Sequence, residues 1–137
     1  MSAKSTASRQ VAEAALAVHA AAAINGTPAE LEGVDHADGT PCIEYTHTST
    51  DAETLETTVQ HITAQLTVRI GRMTPTPKRV DVVGYSPVDS DDVAIQYYVR
   101  RRWAQQAVDA DGWPDEKVIE EIATNAEDFI AVEGVTV

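Results

Sequence analysis

The stretch Lys78–Trp103, KRVDVVGYSPVDSDDVAIQYYVRRRW, limits the available folds more than any other part of the chain. Val80, Val82, Val83 and Tyr85 form a run of β-formers between Lys78–Arg79 and Pro87. Val93, Ile95, Tyr97 and Val99 then alternate with Ala94, Gln96 and Tyr98, the period of two that gives a strand one buried face. The intervening PVDSDD is turn chemistry, because Pro fixes φ while Asp and Ser side chains bond local backbone. An antiparallel hairpin with a loop of about five residues is predicted. Val99, Trp103 and Ala107 share one helical face by their spacing, so the second strand is expected to run directly into a helix.

The flanking segments add helices and strands around this hairpin. Residues 5–24 are alanine-rich, which favours helix, and Asn25–Gly26 is a stop signal. Val11, Ala15, Val18 and Ala22 fall on one face, with Leu16 beside it. Thr27-Pro28-Ala29-Glu30 reads as the start of a single helical turn ending at Gly33, and residues 34–41 read as loop. Cys42–Thr48 reads as a short strand with Ile43 and Tyr45 on one side.

Thr50 and Glu53 form a capping-box pattern ahead of Leu55, Val59, Ile62, Leu66 and Ile70 at helical spacing, with Gly71 as the stop. Residues 62–70 also alternate at period two and are rich in β-branched side chains. The helix reading is preferred because Asp51, Glu53 and Glu56 sit at the end that favours acids, and Arg69 and Arg72 at the end that favours bases. The two prolines of Met73–Pro77 impose an extended link. After the Trp103 helix, Asp111–Gly112 ends the segment and Trp113–Pro114 starts another helix through Val118, Ile119, Ile122, Ala123 and Ala126. Residues 129–137 read as a last strand or an ordered tail.

The expected order is α-β-α-β-β-α-α-β. It describes an α+β fold, a three- or four-stranded mixed sheet with helices packed mainly on one face. Residues 42–86 form a right-handed crossover if their strands are parallel. The chain is read as a single domain, 1–137, with 1–26 an interaction arm and 42–137 the α+β core.

A chain of 137 residues can bury one core. It carries 22 acids against 10 bases, a formal net charge of −12, and only three of the bases are lysines. Such a chain repels itself in dilute buffer, whereas molar salt shortens the Debye length to roughly 3 Å and removes that penalty. The composition resembles that of proteins from salt-in halophilic archaea. A lone Cys42 rules out an intrachain disulfide. No run reaches the ~20 apolar residues of a membrane span. Glu13 and His19 interrupt residues 11–24, so that run reads as helix and not as a signal peptide, and a cytoplasmic protein is expected.

The bases are unevenly placed. Residues 69–102 hold seven of the ten, against four acids, while the segments on either side are strongly acidic. Arg69, Arg72, Arg79, Arg100, Arg101 and Arg102, with Tyr97 and Trp103, are the candidate binding residues, and Arg100–Arg102 beside Tyr97, Tyr98 and Trp103 suit backbone contact plus base stacking. The competing view is that these arginines pair with the chain's own carboxylates. Successive helical residues also diverge by about 100°, so Arg100–Arg102 cannot all face one phosphate. Asp35-His36-x-Asp38 with Cys42 contains metal-ligating types but no recognised zinc spacing, and no metal or cofactor is expected. No P-loop, GxGxxG, GxSxG or HExxH motif is present. Cys42 with His47 or His61 is the nucleophile–base pair that the composition offers, and no catalytic residue is assigned.

The stretch VRIGRMTPTPKRVDVVGYSP, followed by YYVRRRWAQQAV and EEIATNAEDF, resembles small acidic haloarchaeal proteins of unknown function over roughly residues 42–128. The resemblance implies a helix, a hairpin ending in an aromatic–Trp helix and a short final helix, and no activity or cofactor. The functional expectation is a non-enzymatic interaction module, oligomeric or a subunit of a larger assembly, with self-association or a protein partner and no membrane. The alternatives are a nucleic-acid-binding or regulatory protein using the basic island 69–102, and a small enzyme or ligand-binding domain.

Overall fold

The computed structural model describes residues 3–37, 40–74, 76–88, 93–109, 112 and 114–125, with the side chains of 3–13, 36, 37, 115, 123 and 125 excluded. Its elements are α1 (Ala3–Ile24), β1 (Ala29–Ala37), β2 (Thr40–His47), α2 (Ala52–Gly71), β3 (Arg79–Tyr85), β4 (Val93–Arg100), α3 (Arg101–Val108) and α4 (Asp115–Asn125). The four strands form one mixed sheet in the order β1-β2-β3-β4, antiparallel at both outer ladders and parallel between β2 and β3. This is the expected α+β fold, with one strand more at the front of the chain. The strand expected at 129–137 lies outside the described residues.

The β3–β4 hairpin forms as the alternation predicts. Val80 pairs with Val99 and Val82 with Tyr97, and all four side chains are buried. Its connection spans residues 86–92, of which 89–92 lie outside the described residues. β4 passes into α3 without a linker, and Arg101 N–H donates to the Lys78 carbonyl at 3.0 Å across the junction. Trp103 is 2 % exposed and closes this end of the core. Gly71, the last residue of α2, lies so close to the Ala104 carbonyl that any side chain there would collide with it.

Residues 52–71 are helical, and the strand alternative for 62–70 is excluded. Asp51 is the N-cap, not the expected Thr50. Its carboxylate accepts from Thr54 Oγ1 at 2.8 Å and Thr54 N–H at 2.9 Å, and these bonds lower its pKa. The buried threonines fit a helix because Thr58, Thr63 and Thr67 each donate to the carbonyl four residues back at 2.7 Å.

Two local expectations are corrected. Thr27-Pro28-Ala29-Glu30 opens a strand and no helix. Thr27 Oγ1 donates back to the Ile24 carbonyl at 2.5 Å, closing the end of α1, with Gly26 in the left-handed region at φ 83°. Residues 34–37, expected as loop, belong to β1. The pairing skips a residue between Leu31 and Gly33, so that Leu31 lies opposite Tyr45 and Val34 opposite Ile43, both on the core side. In α1, the buried face is Leu16, Ala20, Ala23 and Ile24. Ala15 and Ala22 of the expected face are exposed, Val18 is 69 % exposed, and Val11's side chain is outside the description.

One core joins α1, α2, α3 and α4 to Ile43, Tyr45, Val80, Val82, Ile95, Tyr97 and Val99 of the sheet. The helices therefore lie mainly on one face. The side chains that alternate with these strand residues form the outer face.

Candidate functional site

The outer face carries the polar chemistry of the sheet, and strand parity sets its layout. β1 contributes Glu30, Glu32 and Asp35, β2 Cys42, Glu44 and Thr46, β3 Arg79, Asp81, Val83 and Tyr85, and β4 Gln96, Tyr98 and Arg100. At one corner, where β3 begins and β4 ends, Arg79 and Arg100 are paired across the ladder. The Arg79 guanidinium lies 4.2 Å from the Tyr98 ring centroid, and that of Arg100 lies 5.5 Å from it and 5.7 Å from Trp103. Tyr98 and Trp103 stack at 5.5 Å with an interplanar angle of 21°. Arg79 Nε also donates to Asp81 Oδ1 at 2.7 Å. Cation–π contact of this kind holds a guanidinium in place while leaving its N–H edges open to a partner.

The diagonally opposite corner is acidic. Glu30 and Glu32 are exposed, Glu32 accepts from Thr46 Oγ1 at 2.8 Å, and Glu44 accepts from Tyr85 O–H at 2.7 Å. Between the corners, Cys42 is half-buried. Burial, then the carboxylates of Glu44, Asp81 and Asp35, push its thiol up to about 11. It is a protonated, poorly nucleophilic thiol at neutral pH.

Of the eight candidate residues, the structure brings together Arg79, Arg100 and Trp103. Tyr97 is 2 % exposed and faces the core, where its hydroxyl shares a 3.0 Å hydrogen bond with Thr63 Oγ1, so it cannot stack on a ligand. Trp103 is also buried and supports the cluster from beneath. Arg101 turns away and donates from Nε to the Thr76 carbonyl at 2.9 Å. Arg102 is exposed on α3, Arg72 is exposed just past α2, and Arg69 is half-buried near the end of α2. Of the three aromatic residues that the sequence sets beside Arg100–Arg102, Tyr98 is the ring on which the guanidiniums converge. The alternation that buries Tyr97 also turns Tyr98 outward, so the signal was present.

The nucleophile pairs do not form. Cys42 is on the outer face and His47 on the inner, 1 % exposed. His61 is an exposed residue of α2, on the helical side. His47 sits edge-on to Tyr45, with ring centroids 5.1 Å apart. Neither its nitrogens nor the Tyr45 hydroxyl has a hydrogen-bond partner among the described residues, and burial pushes the His47 pKa down to about 4. Among the described residues, no cluster of His, Cys, Asp and Glu has the geometry of a metal site. A shallow concavity of about 430 Å³ lies between the 26–28 turn and the start of α2, lined by Thr27, Pro28, Asp51, Thr54, Thr58 and His61 among others. Tyr97, His47 and Cys42 do not line it. No described helix is long and apolar enough to cross a membrane.

Comparison of the chain with protein families, curated proteins and solved structures finds no match among any of the three.

Proposed function

We propose that the chain is a non-enzymatic interaction module that works by self-association in a high-salt cytoplasm. The observation that carries this reading is the outer sheet face. The helices cover the other side, and this face presents a fixed arginine–aromatic corner and a carboxylate corner on one surface. A single chain thus carries both halves of a complementary pair, as a two-fold interface requires. The 22 acids against 10 bases support the high-salt setting, since copies of charge −12 approach one another only where salt screens them. Light scattering in 2–3 M KCl over a hundredfold range of protein concentration tests the reading. A mass that rises with concentration is expected, and a strict monomer at the highest concentration refutes it.

A second reading has its own observation. Two exposed guanidiniums converge on the half-buried Tyr98, a pairing of charge and ring that suits single-stranded nucleic acid. Fluorescence anisotropy with a labelled oligonucleotide tests it. Binding that the R79E/R100E variant leaves unchanged would dispose of it, and molar salt would weaken any such contact steeply.

A further inference from the structure

The self-association reading names no geometry. Resting on it, we propose that two copies dock face to face through their outer sheets, with the Arg79–Arg100 corner of each copy over the Glu30–Glu32 corner of the other. Charge complementarity, fixed by register, sets this geometry. Arg79 and Arg100 are cross-strand partners at the β3–β4 end of the face, and both are exposed. Glu30 is paired with Thr46, which in turn is paired with Tyr85, at the other end and towards the opposite edge. The two charged groups therefore occupy opposite corners. A two-fold axis lying in the plane between the sheets, along the other diagonal, puts each corner over its opposite. The strands of the two copies then cross steeply, in the orthogonal class of sheet packing.

The charges on the face are already arranged for this. Tyr98 fixes the Arg79 guanidinium from one side, and Asp81 takes one of its N–H groups, leaving the rest without a partner among the described residues. Val83, at the centre of the face, is 8 % exposed and lies in register between Glu44 and Gln96, so the corner charges, and not an apolar middle, direct the docking. A face of four strands at ~4.8 Å spacing and about eight residues at ~3.3 Å rise measures roughly 19 by 25 Å, so docking covers on the order of 900 Å² over both copies. That is small for a specific interface, and the dimer is a reversible one.

The test uses the full chain in 2 M KCl, by sedimentation velocity over a range of concentrations. Three samples are compared with wild type: R79E/R100E, E30K/E32K and their equimolar mixture. Each variant alone opposes like charges at both contacts, and its dissociation constant is expected to rise at least tenfold. The mixture opposes unlike charges at both contacts and is expected to recover wild-type association as a heterodimer. Circular dichroism checks each fold, and R100E or E30K replaces any double variant that unfolds. If the wild type associates and both variants do so equally well, the face is wrong while self-association stands. If the variants weaken and the mixture fails to recover, charge pairing between corners is overturned. A monomeric wild type overturns both readings.

Discussion

His47 offers the sharpest test of the core. It is 1 % exposed, both ring nitrogens lack a hydrogen-bond partner among the described residues, and its ring sits edge-on to the buried Tyr45. Charging an imidazole there costs far more than in water, and burial moves its pKa from 6.5 to about 4. The unfolded chain therefore binds a proton between these values that the folded chain refuses. Stability is full above pH 6.5 and falls as the pH drops towards 4. The shift corresponds to a loss on the order of 2 kcal/mol between pH 7 and pH 4.5. The perturbation is His47→Leu, which fills similar space without a titrating group. Urea unfolding of wild type and variant at both pH values, in 3 M KCl, gives four free energies. Every other histidine and carboxylate titrates in both proteins and cancels in the difference. The wild type should lose about 2 kcal/mol relative to the variant on acidification. A difference that stays constant within 0.5 kcal/mol, roughly the limit of additivity for independent sites, refutes a buried neutral imidazole.

The two inward tyrosines should respond with opposite signs. Tyr97→Phe removes a hydroxyl bonded to Thr63 and should destabilise by about 1 kcal/mol, whereas Tyr45→Phe removes a buried hydroxyl that has no partner among the described residues and should stabilise by about 1 kcal/mol, both read from chemical denaturation. Gly84→Ala would place a methyl group 2.7 Å from Ile95 Cγ2 and 2.8 Å from Tyr45 Cζ, and a loss of roughly 1–3 kcal/mol is expected from the same measurement. Cys42, with its thiol at about 11, should react with iodoacetamide at pH 8 roughly 100-fold more slowly in the folded chain than in urea, and a ratio below threefold would show that the thiol is not held protonated. Association of the wild type should strengthen from 0.1 M to 2 M KCl, the reverse of a simple ion pair, because screening relieves the repulsion between copies of net charge −12 more than it weakens a contact pair.

The parts of the fold that could be read from residues are those with an uninterrupted pattern. In β4 the alternation Ile95, Tyr97, Val99 runs without a break, and all three side chains are buried. In α2 the periodicity is ambiguous, and the acidic start and basic end mark the segment as helix, with Asp51 capping and Arg69 in the last turn. β1 was hidden because its bulge sets Leu31 and Val34 three residues apart on one side of the sheet, a spacing that reads as helix or loop. The buried face of α1 was hidden for a different reason. Alanines surround the helix, so hydrophobicity does not distinguish Ala15 from Ala20, and the choice was made by the sheet and α2 it packs on. At the site, charge counting found Arg79 and Arg100, but their convergence on Tyr98 depends on a cross-strand register that residue types do not encode.

The parallel ladder between β2 and β3 divides the sheet into two hairpins, each built from strands close together in the chain. Only the five pairs from Cys42–Asp81 to Thr46–Tyr85 stitch these halves into one sheet, and α2 is the length of chain that carries β2 across to β3. The molecule is thus two locally encoded ribbons bolted together by a helix. Its cooperativity hangs on that seam, and loosening α2 would free the ribbons to part before either one frays.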